Sequence, residues 1–523
     1  MASWLVPITT DEAYYAIWGQ FLDWGYFDHP PGVALLTSLS QINGDIFLNA
    51  RAGVLLLSLV SLLLASRFFG ILKLNIAQWV LALLIFKFNI AGLIGGTLAT
   101  PDALVITFWL LALHECYVAL TIARYRWLTA GLVTGLGLLS KYTVVLLGPI
   151  FAIMLWKKDR EAFKTPWPYA GALVCLLVFS PNLYWNAQNH WQTFRFQMGR
   201  LTASELPHYN SKLPLPQTAE EGSPEDLLAK ALQDEVKKQD VGEKEKEPDL
   251  PSVLNKWRTF SNLGIFKIVQ RLSEFILGQG AMLGFLLIPL LLGLFRRKKK
   301  STPPPSLALT LLRTACWVPL VFFALVSLFI RVEPNWSAMY ILSAAPLLAF
   351  YYEHFKKTIY YALLANLVLF LVMIVHAHQP FLSLANDRIL KESSGYTKLA
   401  EWSRKEHVPL YADSYQITSM VRVYNPFSNI HQWPGITRPS EFTFNMSFAS
   451  SLAQIREAGE FQLISTNEVP PHFASFTPVR MVRLQTCKQG GFLFSSTTGV
   501  SSLSDTPCTP VHRWFLTLYR PTT

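Results

Sequence analysis

The sequence predicts a mainly α-helical, polytopic membrane protein with a small soluble α/β domain at its C-terminus. Of its 523 residues, 51% are hydrophobic and only 15% are charged, whereas a soluble globular protein has about 25% charged residues. Apolar runs of about 20 residues, long enough to cross a hydrocarbon core of about 30 Å, recur through the first two thirds of the chain. These observations exclude an ordinary soluble globule.

Basic residues predict how the chain crosses the membrane. Lysine and arginine clusters follow every second apolar span, and such clusters stay on the cytoplasmic side. The alternate connections and everything after residue 379 are therefore predicted to lie outside. The predicted spans are residues 49–72, 76–96, 102–123, 127–140, 142–156, 167–186, 278–295, 307–330, 336–352 and 357–378.

This topology also requires an outside N-terminus. Because no apolar span precedes Asp11, either a short tail is translocated or a first helix is missing from the sequence. We expect the missing helix, since a functional segment so near a terminus would otherwise be poorly anchored.

The net charge of +11 does not indicate a nucleic-acid partner, because the basic clusters lie beside apolar runs. The cysteines divide by their surroundings. Cys116, Cys175 and Cys316 lie within apolar runs and are expected to be inert. Cys487 and Cys508 lie in the polar C-terminal part and could form a disulfide in an oxidising compartment.

Four regions follow from the composition. Residues 1–200 and 257–379 are predicted to be the two parts of a transmembrane domain. Residues 201–256, rich in Glu, Lys, Asp and Gln, are predicted to be a mobile insertion on the outer face. Residues 380–523 are predicted to form an α/β domain, with strand-like runs at 408–412, 462–465, 492–494 and 514–519 and a helical pattern at 413–424.

Two adjacent carboxylates, Asp11 and Glu12, precede the first span. Thr9 and Glu12 have the spacing of a capping box, and Asp11 would favour the positive end of a helix. One interpretation is a well-capped amphipathic helix at the membrane interface. The other is a carboxylate that accepts a proton from an acceptor hydroxyl or binds a cation, which a rigid helix start permits.

A second acidic group lies in the Asp28-His29-Pro30-Pro31 turn. The prolines alone are typical of a turn followed by a helix start. Asp28 and His29 could bind a divalent ion, but two candidate ligands are too few to assign a metal. No cofactor is predicted to be required. A divalent cation is the one cofactor that the sequence leaves open.

Two further polar positions lie at predicted outer ends of spans. Asp102 follows Thr100 and Pro101, so helix-start chemistry explains it about as well as catalysis does. Lys141, followed by Tyr142, either snorkels to the interface or binds a lipid phosphate.

Two more segments are candidates for substrate contact. The span near residue 185 is followed by a polar segment that includes Trp185, Asn186, Arg195 and Arg200. An aromatic belt at the membrane interface explains the tryptophan. The two arginines on the outer side oppose the positive-inside trend and favour a contact with phosphate or sugar. The other segment supplies a carboxylate, an amide and an aromatic face, which suit a sugar: Glu333, Asn335 and Trp336.

Together these motifs resemble bacterial dolichyl-phosphate-mannose-protein-mannosyltransferase-like enzymes of the GT-C superfamily, whose relatives include the lipid A aminoarabinose transferases. The likeness covers roughly residues 7–200 and 260–380, although the usual helix before the Asp-Glu motif is absent. The similar motifs, in order, are Asp-Glu-Ala-Tyr-Tyr (11–15), Tyr-Phe-Asp-His-Pro-Pro (26–31) and the segments at 100–102, 138–143, 180–186 and 333–336.

The resemblance implies a GT-C fold with about 10–13 transmembrane helices and interfacial helices on the outer face. It implies transfer of a sugar from a polyprenyl-phosphate donor, undecaprenyl-phosphate in bacteria, to an acceptor at the periplasmic face of the inner membrane. Lipid A or lipopolysaccharide is the favoured acceptor and a protein the alternative; the other partners are membrane lipids.

The resemblance also assigns roles. Asp11 matches the family's catalytic aspartate, with Glu12 and Asp28 as its acidic neighbours, Asp102 as a second loop acid and Lys141 facing the phosphate. Asp11 and Glu12 are the predicted catalytic residues. The predicted substrate-binding residues are Asp28, His29, Asp102, Lys141, Tyr142, Trp185, Asn186, Arg195, Arg200, Glu333, Asn335 and Trp336.

Two rival functions belong to other classes. A lipid or sugar transporter would place ionisable residues at mid-membrane, where this chain has only isolated groups such as Lys87, His114 and Glu115. A non-catalytic membrane scaffold presenting the C-terminal domain is the other rival. Intact activity of an Asp11→Asn variant would favour the scaffold over the enzyme.

Overall fold

The computed structural model describes a largely helical protein with a C-terminal β-sheet. Nearly all of the predicted insertion at 201–256 lies outside the described residues. The described residues are 6–39, 46–202, 265–295, 306–382, 387–404, 407–433, 436–444, 455, 458–473, 476–487, 492–496 and 510–521.

Fourteen of the described helices precede the C-terminal region. They are α1 (Thr10–Trp18), α2 (Gly32–Ser38), α3 (Ile46–Ile71), α4 (Ile76–Lys87), α5 (Ile90–Thr97), α6 (Pro101–Thr121), α7 (Trp127–Leu138), α8 (Leu147–Lys158), α9 (Trp167–Gln188), α10 (Gln192–Thr202), α11 (Ile265–Leu283), α12 (Leu287–Phe295), α13 (Leu307–Ser327) and α14 (Tyr340–His378).

Six helices in the described part are long and apolar enough to cross a membrane, or up to seven if a bent pair counts as one span. This confirms the polytopic helical class. The six are Asn49–Ile71, Pro101–Thr121, Trp167–Gln188, Ile265–Phe295, Leu307–Ser327 and Tyr340–His378.

The ten predicted spans differ from these helices for local reasons. The span predicted at 76–96 is the bent pair α4 and α5, with an angle of 69° between them. The 39-residue helix α14 includes most of the span predicted at 336–352 and all of that predicted at 357–378, and it is interrupted at Phe355, where φ is −131°. Helices α7 and α8 have 12 residues each, so each is only about 18 Å long.

Helices α7 and α9 approach closely because both carry glycine at their contact. A Cβ atom built on Gly131 would lie 1.9 Å from the Gly171 carbonyl oxygen, and one on Gly171 would lie 2.3 Å from the Trp127 carbonyl oxygen. Small residues permit this backbone contact between membrane helices. The short helix α7 is therefore fixed against the long helix α9.

The described residues of the C-terminal region form a six-stranded mixed sheet with four short helices. The strand order is β2-β1-β3-β6-β4-β5, with β1 parallel to β2 and β3 and the remaining pairs antiparallel. The elements are α15 (Arg388–Ser393), α16 (Tyr396–Ser403), β1 (Leu410–Ala412), α17 (Tyr415–Tyr424), β2 (His431–Gln432), α18 (Glu441–Phe444), β3 (Phe461–Ser465), β4 (Phe476–Cys487), β5 (Phe492–Ser496) and β6 (Pro510–Pro521).

The predicted C-terminal α/β character is confirmed. The four predicted strand-like runs overlap β1, β3, β5 and β6, and the helix predicted at 413–424 corresponds to α17. The cysteines divide as expected in part: Cys116, Cys175 and Cys316 are free, and Cys487 is disulfide-bonded. Cys508 lies outside the described residues.

We expect Gly131→Ala to destabilise the protein by about 1–3 kcal/mol, because the added methyl group forces α7 and α9 apart. Gly148→Ala is the matched control, since no atom lies within 4 Å of a Cβ built there and alanine favours the helix. Thermal unfolding in detergent measures both. Equal unfolding temperatures for the two variants would contradict the close helix contact.

Candidate functional site

The N-terminal helix α1 begins with a reciprocal cap. The Glu12 backbone N–H donates to Thr9 Oγ1 at 3.4 Å, and the Thr9 backbone N–H donates to Glu12 Oε2 at 3.1 Å. This is the predicted capping box, which satisfies backbone donors at the helix start. It fixes where α1 begins and hence where Asp11 and Glu12 point.

Glu12 is held by a buried ion pair in addition to the cap. Arg51 on α3 donates from Nε to Glu12 Oε1 and from Nη2 to Glu12 Oε2, each at 2.6 Å, and the two side chains are 1% and 0% exposed. The backbone N–H of Ala99 donates to Glu12 Oε1 at 3.0 Å. Glu12 thus joins α1, α3 and the α5–α6 connection, with both oxygens engaged.

Asp11 has a different environment from its neighbour. Its side chain is half-buried, and the Tyr415 hydroxyl donates to Asp11 Oδ1 at 3.0 Å. Burial and the nearby charge of Glu392 raise the pKa of Asp11, while the Tyr415 hydrogen bond partly opposes the rise. A carboxylate in this setting accepts a proton more readily than an exposed one.

Asp28 is buried and receives two strong hydrogen bonds. The Tyr14 hydroxyl donates to Oδ2 at 2.7 Å, and Arg438 Nη1 donates to Oδ1 at 2.6 Å. The Arg438 guanidinium also lies over the Tyr415 ring, 4.2 Å from its centroid. The Glu441 backbone N–H donates to the Tyr14 hydroxyl at 2.6 Å, so the C-terminal region reaches both α1 and the Asp28 turn.

The two tyrosines act as donors in this network. Burial, followed by the charge of Asp28, raises the pKa of Tyr14 well above its ordinary value. Burial and the charge of Asp11 raise the pKa of Tyr415 in the same direction. Both phenols therefore stay protonated at neutral pH and can donate to Asp28 and Asp11.

Three connections that are distant in sequence meet at Asp102. Lys141 Nζ donates to Asp102 Oδ1 at 2.7 Å, and Asn335 Nδ2 donates to Asp102 Oδ2 at 3.1 Å. The Lys141 side chain is only 9% exposed. Lys141 is thus a largely buried cation held at the start of α6, rather than one that extends freely to water.

An arginine from α15, Arg388, contacts two carboxylates beside this region. Arg388 Nη1 lies 3.6 Å from Glu333 Oε2, and Arg388 Nε donates to Glu392. The charge of Glu392, after burial, raises the pKa of Asp11. Asp11 and Asp28 are joined through Tyr415 and Arg438, while Asp102 binds Lys141 and Asn335. We call the four predicted acidic positions 11, 28, 102 and 333 the carboxylate cluster.

The aromatic residues at the end of α9 hold the loop before Asp28. Trp185 Nε1 donates to Asp23 Oδ2 at 2.7 Å, and the Trp185 ring packs on Gly25, where an added Cβ would lie 2.3 Å from it. Tyr142 donates its hydroxyl proton to Asn182 Oδ1 at 3.0 Å. Asn186 is buried and donates to the Asn182 carbonyl oxygen at 2.9 Å.

Several predicted substrate contacts are less directly connected. Arg195 on α10 is exposed, and the side chain of Arg200 lies outside the described residues. His29 packs edge-on to Tyr15, with ring centroids 6.0 Å apart. Trp336 is half-buried near Phe323, with centroids 6.2 Å apart.

The described part of the chain does not provide a group of metal ligands. No set of three or more His, Cys, Asp or Glu side chains there is arranged to hold a metal ion. The two Asp28 oxygens, which would be the ligands beside His29, already accept hydrogen bonds from Tyr14 and Arg438.

Sequence reasoning missed Arg51, Arg388, Tyr415 and Arg438. Arg51 had a usable signal, because an ionisable residue inside an apolar span is expected to have a buried partner. The other three had none, since a contact such as that between Arg438 and Asp28 joins residues 410 positions apart. Such pairs depend on the tertiary fold.

The fold and the carboxylate cluster define a multi-span helical membrane protein with a polar site at one end of its helices. Residues 28–185 match the family of dolichyl-phosphate-mannose-protein mannosyltransferases. The chain is also 30% identical over 207 residues to the lipid A galacturonosyltransferase RgtD of Rhizobium johnstonii. That alignment covers 38% of this chain and only 42% of the relative. The two findings confirm the resemblance to GT-C glycosyltransferases of this type.

Two solved structures are similar over most of the chain at low identity. One is ArnT of Cupriavidus metallidurans bound to undecaprenyl phosphate, which is 13% identical with a TM-score of 0.42. The match covers 98% of this chain and 94% of the ArnT chain. The oligosaccharyltransferase AglB of Archaeoglobus fulgidus, in complex with an inhibitory peptide and a dolichol-phosphate, is 11% identical with a TM-score of 0.44, covering 99% of this chain and 72% of its own.

We expect Glu12→Gln to lower stability by about 3–5 kcal/mol, because it leaves the buried Arg51 cation without its anionic partner. Arg195→Gln, which changes one exposed charge, is the control and should have little effect. Thermal unfolding in detergent provides the comparison. If Glu12→Gln unfolds at the wild-type temperature, the pair does not anchor α1.

Proposed function

We propose that the protein is an integral-membrane glycosyltransferase that moves a sugar from a polyprenyl-phosphate donor to an acceptor outside the cytoplasm. Undecaprenyl phosphate is the proposed carrier and the bacterial inner membrane the proposed location, with the carboxylate cluster on the periplasmic side. The proposal is supported by the positive-inside pattern and by the disulfide at Cys487, since disulfides persist in oxidising compartments.

The observation that carries the proposal is the contrast between Asp11 and Glu12. Glu12 is fully engaged by Arg51, Thr9 and Ala99, which leaves it a positioning role. Asp11, one residue away, has a single side-chain hydrogen bond in the described part of the chain, from Tyr415, and a raised pKa. These properties suit a general base that can be reached by a substrate.

The proposed reaction is a single displacement at the anomeric carbon of the donor sugar. An acceptor hydroxyl oxygen forms the new bond to that carbon while the bond from the carbon to the phosphate oxygen breaks. Asp11 takes the hydroxyl proton, and polyprenyl phosphate leaves with the bonding electron pair. The sugar-phosphate bond supplies the energy, so no nucleotide is needed. An anionic phosphate acceptor would need no base, and Asp11 would then position substrate.

Lys141 is the proposed partner of the leaving phosphate. A fixed cation stabilises negative charge as it develops, and the low exposure of Lys141 strengthens such an interaction. Its pairing with Asp102 and the further bond from Asn335 hold the ammonium group in position. Asn335, Trp336 and Glu333 are the proposed sugar contacts beside it.

Lipid A or lipopolysaccharide is the acceptor we favour. Support comes from the similarity of the chain to the Rhizobium lipid A galacturonosyltransferase. A protein acceptor is the alternative within the same reaction class, in keeping with the mannosyltransferase family matched by residues 28–185.

A transporter is disfavoured by the contacts of the intramembrane charges. Glu115 accepts from Arg126 at 2.6 Å and from His114 at 3.0 Å, and Lys87 donates to Ser58 at 2.7 Å. These partners engage Glu115 and Lys87 instead of leaving them open as the mid-membrane binding site of a transporter.

Asp11→Asn should reduce the rate of sugar transfer by about 10²–10⁴-fold if Asp11 is the general base. The measurement is transfer from a polyprenyl-phosphate sugar to lipid A in proteoliposomes containing the purified protein. Glu161→Gln, which alters an exposed carboxylate at the basic end of α8, is the control and should retain the wild-type rate. If Asp11→Asn transfers sugar at the wild-type rate, Asp11 is not the general base.

The transfer rate should fall as the pH drops through the raised pKa of Asp11. A base works in its ionised form, so the acidic limb of the pH–rate profile is expected above the ordinary aspartate range. Tyr415→Phe removes the hydrogen bond that lowers this pKa and should move the limb to higher pH. If the acidic limb of the pH–rate profile stays at the same pH in Tyr415→Phe, the limb reports the titration of a group other than Asp11.

A further inference from the structure

A second polar site lies far from the carboxylate cluster. Helix α6 begins beside Asp102, in the cluster, and runs towards a cavity of about 310 Å³ near its other end. Asp102 and Glu115 are thirteen residues apart on this helix, so they are separated by about 20 Å along the axis. The cavity is lined by Leu64, Arg67, Leu111, His114, Glu115 and Arg126.

The cavity combines two guanidinium groups with an apolar wall. Arg126 donates from Nη2 to Glu115, which therefore offsets one of the two positive charges. Thr129 and His114 complete the contacts of Glu115. The other arginine, Arg67, has no hydrogen-bond or ion-pair partner within the described part of the chain.

Arg126 also has an unused donor. Its Nε atom is buried and makes no hydrogen bond to any described group. A buried donor without a partner is uncommon in folded proteins and calls for an explanation, such as a ligand. Guanidinium groups match phosphate oxygens with several fixed donors.

The position fits the headgroup region of a bilayer. Arg67 is four residues from the end of α3, and Glu115 is six residues from the end of α6, or about 9 Å. Both helix ends adjoin basic connections, which favour the cytoplasmic leaflet with its anionic lipids. The volume is at the lower end for small-molecule sites, about 300–1,000 Å³, and suits a headgroup rather than a whole lipid.

We propose that this cavity binds the phosphate headgroup of an anionic membrane lipid, with Arg67 and Arg126 donating to the phosphate and the acyl chains lying along Leu64 and Leu111. The site is on the opposite side of the helical part from the carboxylate cluster. The proposal is therefore independent of the proposed glycosyl transfer and can fail without affecting it.

The test uses the full chain in neutral detergent, titrated with phosphatidylglycerol while thermal unfolding is followed. A lipid that binds the folded state raises the unfolding temperature with concentration. Arg67→Gln should weaken the apparent affinity about tenfold or more, because a hydrogen bond to a charged group is lost. Lys157→Gln, which removes an exposed charge outside the cavity on α8, should bind like the wild type.

Two further arms separate the alternatives. Leu64→Trp fills the cavity without changing its charge and should also abolish the specific stabilisation. Phosphatidylcholine and soluble glycerol phosphate should each stabilise the wild type less than phosphatidylglycerol does. Equal losses in Arg67→Gln and Lys157→Gln would overturn the proposal in favour of general charge attraction. If glycerol phosphate stabilised the protein as much as phosphatidylglycerol, the proposal that the ligand is a membrane lipid would be wrong.

Discussion

The buried pair between Glu12 and Arg51 is the interaction on which the arrangement at the polar end depends. Successive residues on an α-helix point about 100° apart, so fixing Glu12 inward also fixes the direction of Asp11. The capping box at Thr9 sets the start of the helix, and Arg51 ties that start to α3. One adjacent pair of carboxylates thereby acquires two environments, one fully engaged and one half-buried.

The C-terminal region completes the cluster rather than standing apart from it. Tyr415 and Arg438 contact Asp11 and Asp28, and the Arg438 guanidinium stacks on the Tyr415 ring. Glu441 accepts from the backbone N–H of Phe27 at 2.7 Å. Because buried partners of this kind are costly to leave unpaired, the Asp28 turn and the C-terminal region should hold one another in place.

Much of this architecture follows from local patterns in the sequence. Apolar length predicted membrane helices, and the spacing of Thr9 and Glu12 predicted the capping box. The strand-like runs predicted four of the six strands. Strand β4 was missed because its Phe476–Cys487 segment carries two arginines and a proline among its apolar residues, which weakens the alternation that marks a strand.

The partners within the cluster were less predictable. Asp11, Asp28, Asp102, Lys141 and Asn335 were recognisable as polar groups at predicted outer ends of spans. Nothing local indicated that Asp102 would pair with Lys141 or that Arg438 would reach Asp28, since such contacts form only when distant segments pack. The bend between α4 and α5 and the interruption at Phe355 likewise reflect packing rather than composition.

The central claim is that the protein adds a sugar to an outer-face acceptor, with Asp11 as the essential carboxylate. Mass spectrometry of lipid A from cells lacking the gene, complemented with wild type or with Asp11→Asn, tests it most directly. The account predicts that deletion removes a sugar mass from lipid A and that the wild type, but not the variant, restores it. Full restoration by Asp11→Asn, or lipid A unchanged by the deletion, would contradict it.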